Sequence, residues 1–344
     1  MCKNPKQPGR MVIADEHDAR SVEEMCAALT RRYASNEDEA LLRDLPLLSH
    51  DLPARLKQAV SEFRFCDEAG FLVIRGHRID QSRIGPTPDE WRKRRTPHRS
   101  FAEELTLLLY AALLGDPFGW RTQQDGHLIH EVFPIRRDES AQLGTSSRVL
   151  LTWHTEDAFH EFRADHLMLL ALRNPDRVPT TVGHLDPTLL DNDIIDVLFS
   201  ERFVIKPDNS HLVENNSGIA TSTASAFDVI AQMQVAPQRV ALLYGDRRSP
   251  YLRLDPDFMA PSPGDLPARR ALDAIIEAVN ANLRDVVLES GDLLILDNLK
   301  VVHGRRPFTA RYDGTDRWLK RVNVTRDLRK SRAQRATPAC RLVG

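Results

Sequence analysis

From Leu128 onward the apolar residues of this chain come in short runs, over 128–135, 149–154, 166–173, 180–184, 203–205, 240–244, 251–254, 286–288, 293–296, 301–302 and 318–324. Runs of this length, punctuated by Gly and Asp, read as strands joined by tight turns. Many such strands suggest a sandwich or jelly roll rather than a parallel sheet. Helical spacing is confined to a few places. Val22, Met25, Cys26 and Leu29 recur with a helical period, as do Leu52, Leu56, Val60 and Phe63, and both sets read as amphipathic helices over the core. Residues 101–114, 188–200 and 268–283 read as three more helices, and 71–75 as a buried strand. Residues 75–99, charged and with three prolines, read as a long surface loop. The chain divides into a helical N-terminal part (about 15–115), a strand-rich core (about 120–328) and a basic tail, 329–344. That tail lacks an apolar pattern and is expected to be mobile.

A chain of 344 residues, 42% of them hydrophobic, can bury a substantial core without disulfide staples. Its formal charge of −2 argues against a general nucleic-acid binder. Cys2, Cys26, Cys66 and Cys340 are scattered, with no Cys-x-x-Cys pair, as in reduced cytosolic proteins. Met1 to Ala14 lacks an apolar stretch of signal-peptide length, and Leu105 to Leu114 is too short to span a bilayer. The expectation is a cytoplasmic protein whose partner is a small molecule, not a nucleic acid or a membrane. The sequence leaves the oligomeric state open.

One of the short runs ends in chemistry. Val149-Leu150-Leu151 leads into Trp153-His154-Thr155-Glu156-Asp157. Residues two apart in an extended chain point the same way, so His154 and Glu156 can reach one metal. Far downstream, Ser290 to Asn298 and then Val301-Val302-His303-Gly304-Arg305 supply another histidine. Two histidines and a carboxylate form the face that leaves positions on iron(II) open for O2 chemistry. On pattern alone a polar strand end is an equal reading, because twelve histidines among 49 acidic residues give roughly one or two His-x-acid pairs by chance. Two occur. The other, His184-x-Asp186, has a different use: Asp186 precedes Pro187 and a helical pattern, as an N-cap with proline at the first helical position does.

Trp153 to Phe159, the Gly291-Asp292 turn into Leu293–Asn298, and His303-Gly304-Arg305 resemble the Fe(II)/2-oxoglutarate oxygenases of the clavaminate synthase-like group. Thr122 to Gly126, Leu252 to Phe258 and Asp316 to Arg321 extend the resemblance over most of the chain, towards the L-arginine hydroxylases of viomycin- and streptothricin-type antibiotic biosynthesis. The resemblance implies a mainly β protein: one oxygenase domain, 1–328, built on a double-stranded β-helix (a jelly-roll, cupin-like core) with helices outside. It implies Fe(II) on His154, Glu156 and His303, with 2-oxoglutarate and O2 as cosubstrates. Oxidative decarboxylation to succinate and CO2 then drives attack on an unactivated carbon; the cofactor carries the chemistry and the protein aims it.

The same resemblance assigns the surrounding residues. Arg317 matches the position that holds the far carboxylate of 2-oxoglutarate, a task suited to a planar fork; by composition alone it reads as a surface arginine beside Asp316. Arg321 shares its face if the segment is extended, roughly 13 Å away, and would bind the substrate's α-carboxylate. Asp255 and Asp257 flank Pro256 and alone read as an exposed turn; the resemblance puts both at the substrate's side-chain end, where two carboxylates suit a guanidinium. Gln123 or Gln124 matches a glutamine near the amino-acid head, and spacing to His154 favours Gln123. Gly144-Thr145-Ser146-Ser147 stands where a relative has a run of serines, which leaves open which hydroxyl contacts substrate. Residues 215–226 are small and polar and read as a surface loop; loops of this kind cover the site in the family, so 209–234 is expected to form a lid.

The expected reaction is hydroxylation of a free basic amino acid, L-arginine at the β-carbon, for a specialised metabolite. A lysine hydroxylase is the alternative within the class, since Asp255 and Asp257 would serve either cation. A non-catalytic small-molecule-binding jelly roll would not need all three ligands plus Arg317. An iron halogenase is disfavoured because Glu156 fills the halide's position, and a zinc hydrolase has no use for Arg317.

Overall fold

The helical spacings of the N-terminal part become α1 (Glu16–Arg32), α2 (Glu39–Leu48) and α3 (Ala54–Phe65), preceded by an edge strand β1 (Gly9–Ile13). The computed structural model describes residues 9–65, 69–93, 99–216 and 224–344. Asp15 and Asp38 cap α1 and α2, accepting hydrogen bonds from the amides of Asp18 and Ala40. Sequence periodicity does not reveal α2, a short helix interrupted by Pro46, yet its Leu41, Leu42 and Leu45 are buried. Strand β2 (Phe71–Arg75) and the single turn α4 (Gln81–Ile84) lead to α5 (Phe101–Leu114). Apolar almost all round, α5 is buried almost all round.

The strands follow: β3 (Asp116–Trp120), β4 (His130–Val132), β5 (Leu151–His154), β6 (His166–Arg173) and β7 (Thr180–His184). Helix α6 (Asn192–Leu198) precedes β8 (Phe203–Ile205), and α7 (Ala224–Val235) precedes β9 (Arg239–Val240). Then come β10 (Leu243–Asp246), β11 (Ser249–Leu252), β12 (Met259–Pro261) and α8 (Leu266–Asn280). The chain closes with β13 (Arg284–Val286), β14 (Leu293–Asp297), β15 (Val301–Arg305), β16 (Trp318–Thr325) and β17 (Leu342–Val343).

An eight-stranded sheet runs in the order β1-β2-β14-β6-β16-β3-β17, with β4 also on β16; a four-stranded sheet runs β13-β7-β15-β5. Strand alternation decides what each face meets. Along β6, Met168, Leu170 and Leu172 pack with residues of α1, α2, α3 and α5, while Leu167, Leu169 and Ala171 join Val182 and Val301 of the smaller sheet. Strand β14 divides likewise, with Leu293 and Ile295 towards the helices and Leu294 and Leu296 between the sheets. On the far side of the smaller sheet, Val302 packs with Leu272, Ile275 and Val279 of α8. The two sheets therefore face each other with helices outside, and inward positions on β15, β5 and β16 open onto the space between them.

Several sequence expectations need correction. The tail, 329–344, is docked rather than mobile. Its β17 pairs in parallel with β3, Val343 is buried, and the amides of Gly119 and Arg121 donate to the carbonyls of Arg341 and Val343. Strand β3 has unpaired backbone groups on that edge, and the tail satisfies them. The run over 128–135 gives only the three residues of β4. The helix over 188–200 starts as a 3-10 turn, Pro187–Leu189, before α6, and the expected loop over 75–99 holds α4 and a turn at Trp91–Lys93. Its residues 94–98 lie outside the described residues, as do 217–223 of the expected lid. The described flanks of that lid are two 3-10 turns, Asn209–His211 and Val213–Asn215, and helix α7. No helix among the described residues is long and apolar enough to cross a membrane.

Candidate active site

His154 closes β5, and His303 stands directly opposite it on β15. Their rings lie 4.7 Å apart between centroids. Glu156 follows two residues later and turns its Oε2 to both, 3.3 Å from Nε2 of His303 and 3.8 Å from Nε2 of His154. All three ligand atoms lie within 4.8 Å of one another. Metal–ligand bonds of about 2 Å at right angles would put such atoms about 3 Å apart, so small side-chain shifts suffice for one ion. Glu156 Oε2 is buried and accepts no hydrogen bond from the protein, as expected of an oxygen reserved for a metal. His154 Nδ1 lies 2.8 Å from the carbonyl of Thr152; donation there leaves the Nε2 lone pair free to ligate. These residues fit the metal.

Glu156 lies beyond the end of its strand, so something else must hold it. Asn298 does this: its Oδ1 accepts from the Glu156 amide at 2.7 Å, and its Nδ2 donates to the carbonyls of Glu156 and Ala164. Next in line, Asp157 adopts a left-handed φ of 51°. Its buried carboxylate meets Trp120 Nε1, Asn323 Nδ2 and His211 Nε2, tying β3, β16 and the turn at Asn209–His211 together. Burial, followed by repulsion from Glu156, holds this carboxyl above its usual range.

The triad opens on a cleft of about 840 Å³, its open mouth included. Arg317 and Arg321 both line it, since alternation from Arg317 through Leu319 to Arg321 keeps them on one face. Arg317 is buried, and its one hydrogen bond among the described residues runs from Nη2 to Thr180 Oγ1 at 3.2 Å. Burial, and then the neighbouring Arg305 guanidinium, push its pKa down to about 9. Arg321 is more heavily engaged. It donates to Glu156 Oε1, to Gln123 Oε1 at 2.7 Å and to His130 Nδ1 at 2.6 Å. Burial raises the Glu156 pKa, but the Arg321 charge and the two facing histidines, His154 and His303, together outweigh it and hold the carboxyl well below its usual range.

Between the two glutamines the structure distinguishes clearly. Gln123 lines the cleft and donates to Ser210 Oγ at 2.6 Å, whereas both ends of the Gln124 amide are engaged by the backbone of Glu131. Asp255 and Asp257 also line the cleft, but differ in depth: Asp255 is only 7% exposed, while Asp257 is open to solvent. Burial pushes Asp255 up to about 7. Thr155 connects this end to His154 and Glu156. Its amide donates to the Leu254 carbonyl at 2.7 Å, and its hydroxyl accepts from the Leu254 amide at 3.1 Å.

His184 stands across from Val301, outside the cleft, and Asp186 caps the turn at Pro187 by accepting from Thr188. The serines are committed elsewhere: Ser146 Oγ accepts from Arg305, and Ser147 Oγ meets Tyr312. Sequence reasoning missed Asp208 and Ser210, which line the cleft, and the supports Asn298, Thr155 and His130. Asn298 stood inside a motif already singled out, but nothing in its spacing announced what its amide would hold.

The chain also resembles known proteins. An enduracididine beta-hydroxylase of Streptomyces hygroscopicus is 41% identical over 334 residues, covering 95% of this chain and 98% of the relative. An L-ornithine/L-arginine 3-hydroxylase of Catenulispora acidiphila is 44% identical over 336 residues, 95% and 97% of the two chains. A family model for taurine catabolism dioxygenase TauD, TfdA family, matches residues 210–323. The chain belongs to the TauD/TfdA dioxygenase family. Among solved structures, the non-heme iron oxygenase OrfP in complex with Fe, succinate and (3S)-hydroxy-L-Arg has a TM-score of 0.94 at 53% identity, over 98% of this chain and 100% of that one. OrfP with Fe and alpha-ketoglutaric acid gives 0.88 at 52% identity, over 97% and 100%. In this TauD/TfdA member the matched segment contains Asp255, Asp257, His303, Arg317 and Arg321, while His154, Glu156 and Gln123 lie upstream of it.

Proposed function

We propose that the protein is an Fe(II)- and 2-oxoglutarate-dependent hydroxylase of free L-arginine, acting at the β-carbon in specialised-metabolite biosynthesis. One observation carries the reading: a single cleft holds the His154–Glu156–His303 face, the buried cation Arg317 and the carboxylates of Asp208, Asp255 and Asp257. Its architecture is read as a double-stranded β-helix, supported by the two facing sheets and by the likeness to OrfP.

Iron held by His154, Glu156 and His303 would couple the decarboxylation of 2-oxoglutarate, with O2, to oxidation of an unactivated C–H bond. The protein's part is placement. Arg317 binds the far carboxylate of the cosubstrate, buried where a charge pair is weakly screened. Arg321 and Gln123 take the amino-acid head, and His130 and Glu156 hold the Arg321 guanidinium in place beforehand. Asp255 and Asp257 grip the guanidinium at the other end, fixing the carbon between two anchored ends.

The test is aerobic incubation with Fe(II), 2-oxoglutarate and a panel of amino acids containing arginine, lysine, ornithine and citrulline, read by mass spectrometry. Arginine should gain one oxygen with equimolar succinate, and fragmentation should put that oxygen on the β-carbon. Preference for lysine would move the assignment to the related lysine hydroxylases. Oxidation of neutral amino acids alone would overturn the reading.

A further inference from the structure

Arg305 is 3% exposed and has no carboxylate partner among the described residues. Buried arginines are normally paired, because an isolated charge is costly to desolvate. Among the described residues, every hydrogen-bond acceptor that Arg305 meets is neutral, and its guanidinium carbon lies 5.2 Å from the centre of the Phe308 ring. One terminal nitrogen donates to the carbonyls of Ser147 and Arg306 at 3.1 and 2.9 Å, the other to Ser146 Oγ and the Val149 carbonyl at 2.7 and 3.3 Å. Its Nε has no partner. These bonds fix the guanidinium without neutralising it.

Its position explains why the charge is kept. Arg305 lies two residues beyond His303 on β15, on the same inward face, and lines the cleft. Its cross-strand neighbour on β7 is Thr180, which is also the hydrogen-bond partner of Arg317. Two uncompensated guanidiniums thus flank one threonine at one end of the cleft. Each makes the other harder to bury, and an anion bound there relieves both. We infer that Arg305 is the second cation of the cosubstrate site, reading the charge of the far carboxylate of 2-oxoglutarate alongside Arg317. The inference rests on the reading of Arg317 as that carboxylate's anchor. Arg317 supplies the planar fork, while Arg305, held by the chain over 146–149, supplies a fixed field.

A charge reader and a scaffold differ in what they discriminate. Anaerobic calorimetry on the Mn(II)-loaded full-length protein would compare 2-oxoglutarate with 2-oxopentanoate, an equally long 2-oxo acid ending in a methyl group. Arg305→Gln should weaken 2-oxoglutarate at least tenfold and leave 2-oxopentanoate within about twofold. Arg305→Lys, which keeps the charge but not the four hydrogen bonds, should retain most of the preference for 2-oxoglutarate. Equal weakening of both acids, or no change in either, overturns the inference and leaves Arg305 as scaffold. Should Arg305→Gln not fold, Arg305→Met, uncharged and of similar length, is read in its place with the same expected and overturning outcomes. Arg317→Gln, measured in parallel, separates the two readings. Loss of discrimination in Arg317→Gln but not in Arg305→Gln sinks the inference and spares the anchor. The reverse result sinks the Arg317 assignment, and the paired-cation inference falls with it.

Discussion

Asp255 offers the sharpest test of substrate choice. Burial lifts its pKa from 3.8 to about 7, which corresponds to on the order of 4 kcal/mol disfavouring the carboxylate. A bound guanidinium replaces the lost solvation, so removing the charge should cost an arginine complex much of that stabilisation. Losses of about 2–5 kcal/mol are typical when one partner of a desolvated pair is deleted. Asp257 and Asp208 remain in the Asp255→Asn variant, so the loss should fall somewhat below that range: a weakening of at least tenfold, or about 1.4 kcal/mol. Citrulline, similar in shape but uncharged, should bind the parent poorly and lose that disadvantage in the variant. The sign with pH follows. Asp255 is protonated below about 7 in the free protein, so arginine affinity should fall as pH drops through 7, and this dependence should vanish in Asp255→Asn. The free protein should show the converse in stability: a folded-state pKa above the unfolded value favours folding at low pH and loses that contribution as pH rises from about 4 through 7. Anaerobic calorimetry with arginine and citrulline, and urea titrations from pH 4 to 8, read both effects. Normal arginine binding in both Asp255→Asn and Asp257→Asn, or a parent that prefers citrulline, would refute the charge clamp and the arginine assignment together.

The remaining predictions address the metal site and the tail. His154→Ala and His303→Ala should stay folded and lose arginine-dependent succinate formation, while His184→Ala should keep it; full turnover by His154→Ala would show that the wrong pair was chosen. Asn298→Ala should lower metal affinity about 10- to 100-fold, as losses of groups orienting a ligand do; an unchanged Mn(II) titration would remove Asn298 from the site's support. Val343→Asp should cost about 2–3 kcal/mol by putting a charge in a buried apolar position, and identical denaturation curves for variant and parent would mean that the tail does not dock.

What the sequence determined by itself follows from local rules. Strand period and turn residues specified a mainly β core, with β6, β7 and β8 at the expected residues, because alternation and tight turns are properties of neighbours in the chain. Residues two apart share a strand face, so His154-x-Glu156 was legible as a candidate ligand pair, and Asp186 before Pro187 was legible as a cap. Tertiary structure decided everything that depends on partners distant in sequence. It set His303 across from His154, gave Glu156 its support in Asn298, and separated Gln123 from Gln124 by what each amide meets. It also docked a tail that looked unstructured, because a two-residue strand becomes stable only when an existing edge supplies its hydrogen bonds. Arg305 shows the limit most plainly. It stands inside the His303-Gly304-Arg305 motif, but nothing in that motif says what its charge meets; the charge becomes informative only once the fold has buried it beside Arg317, with no acid to meet it among the described residues.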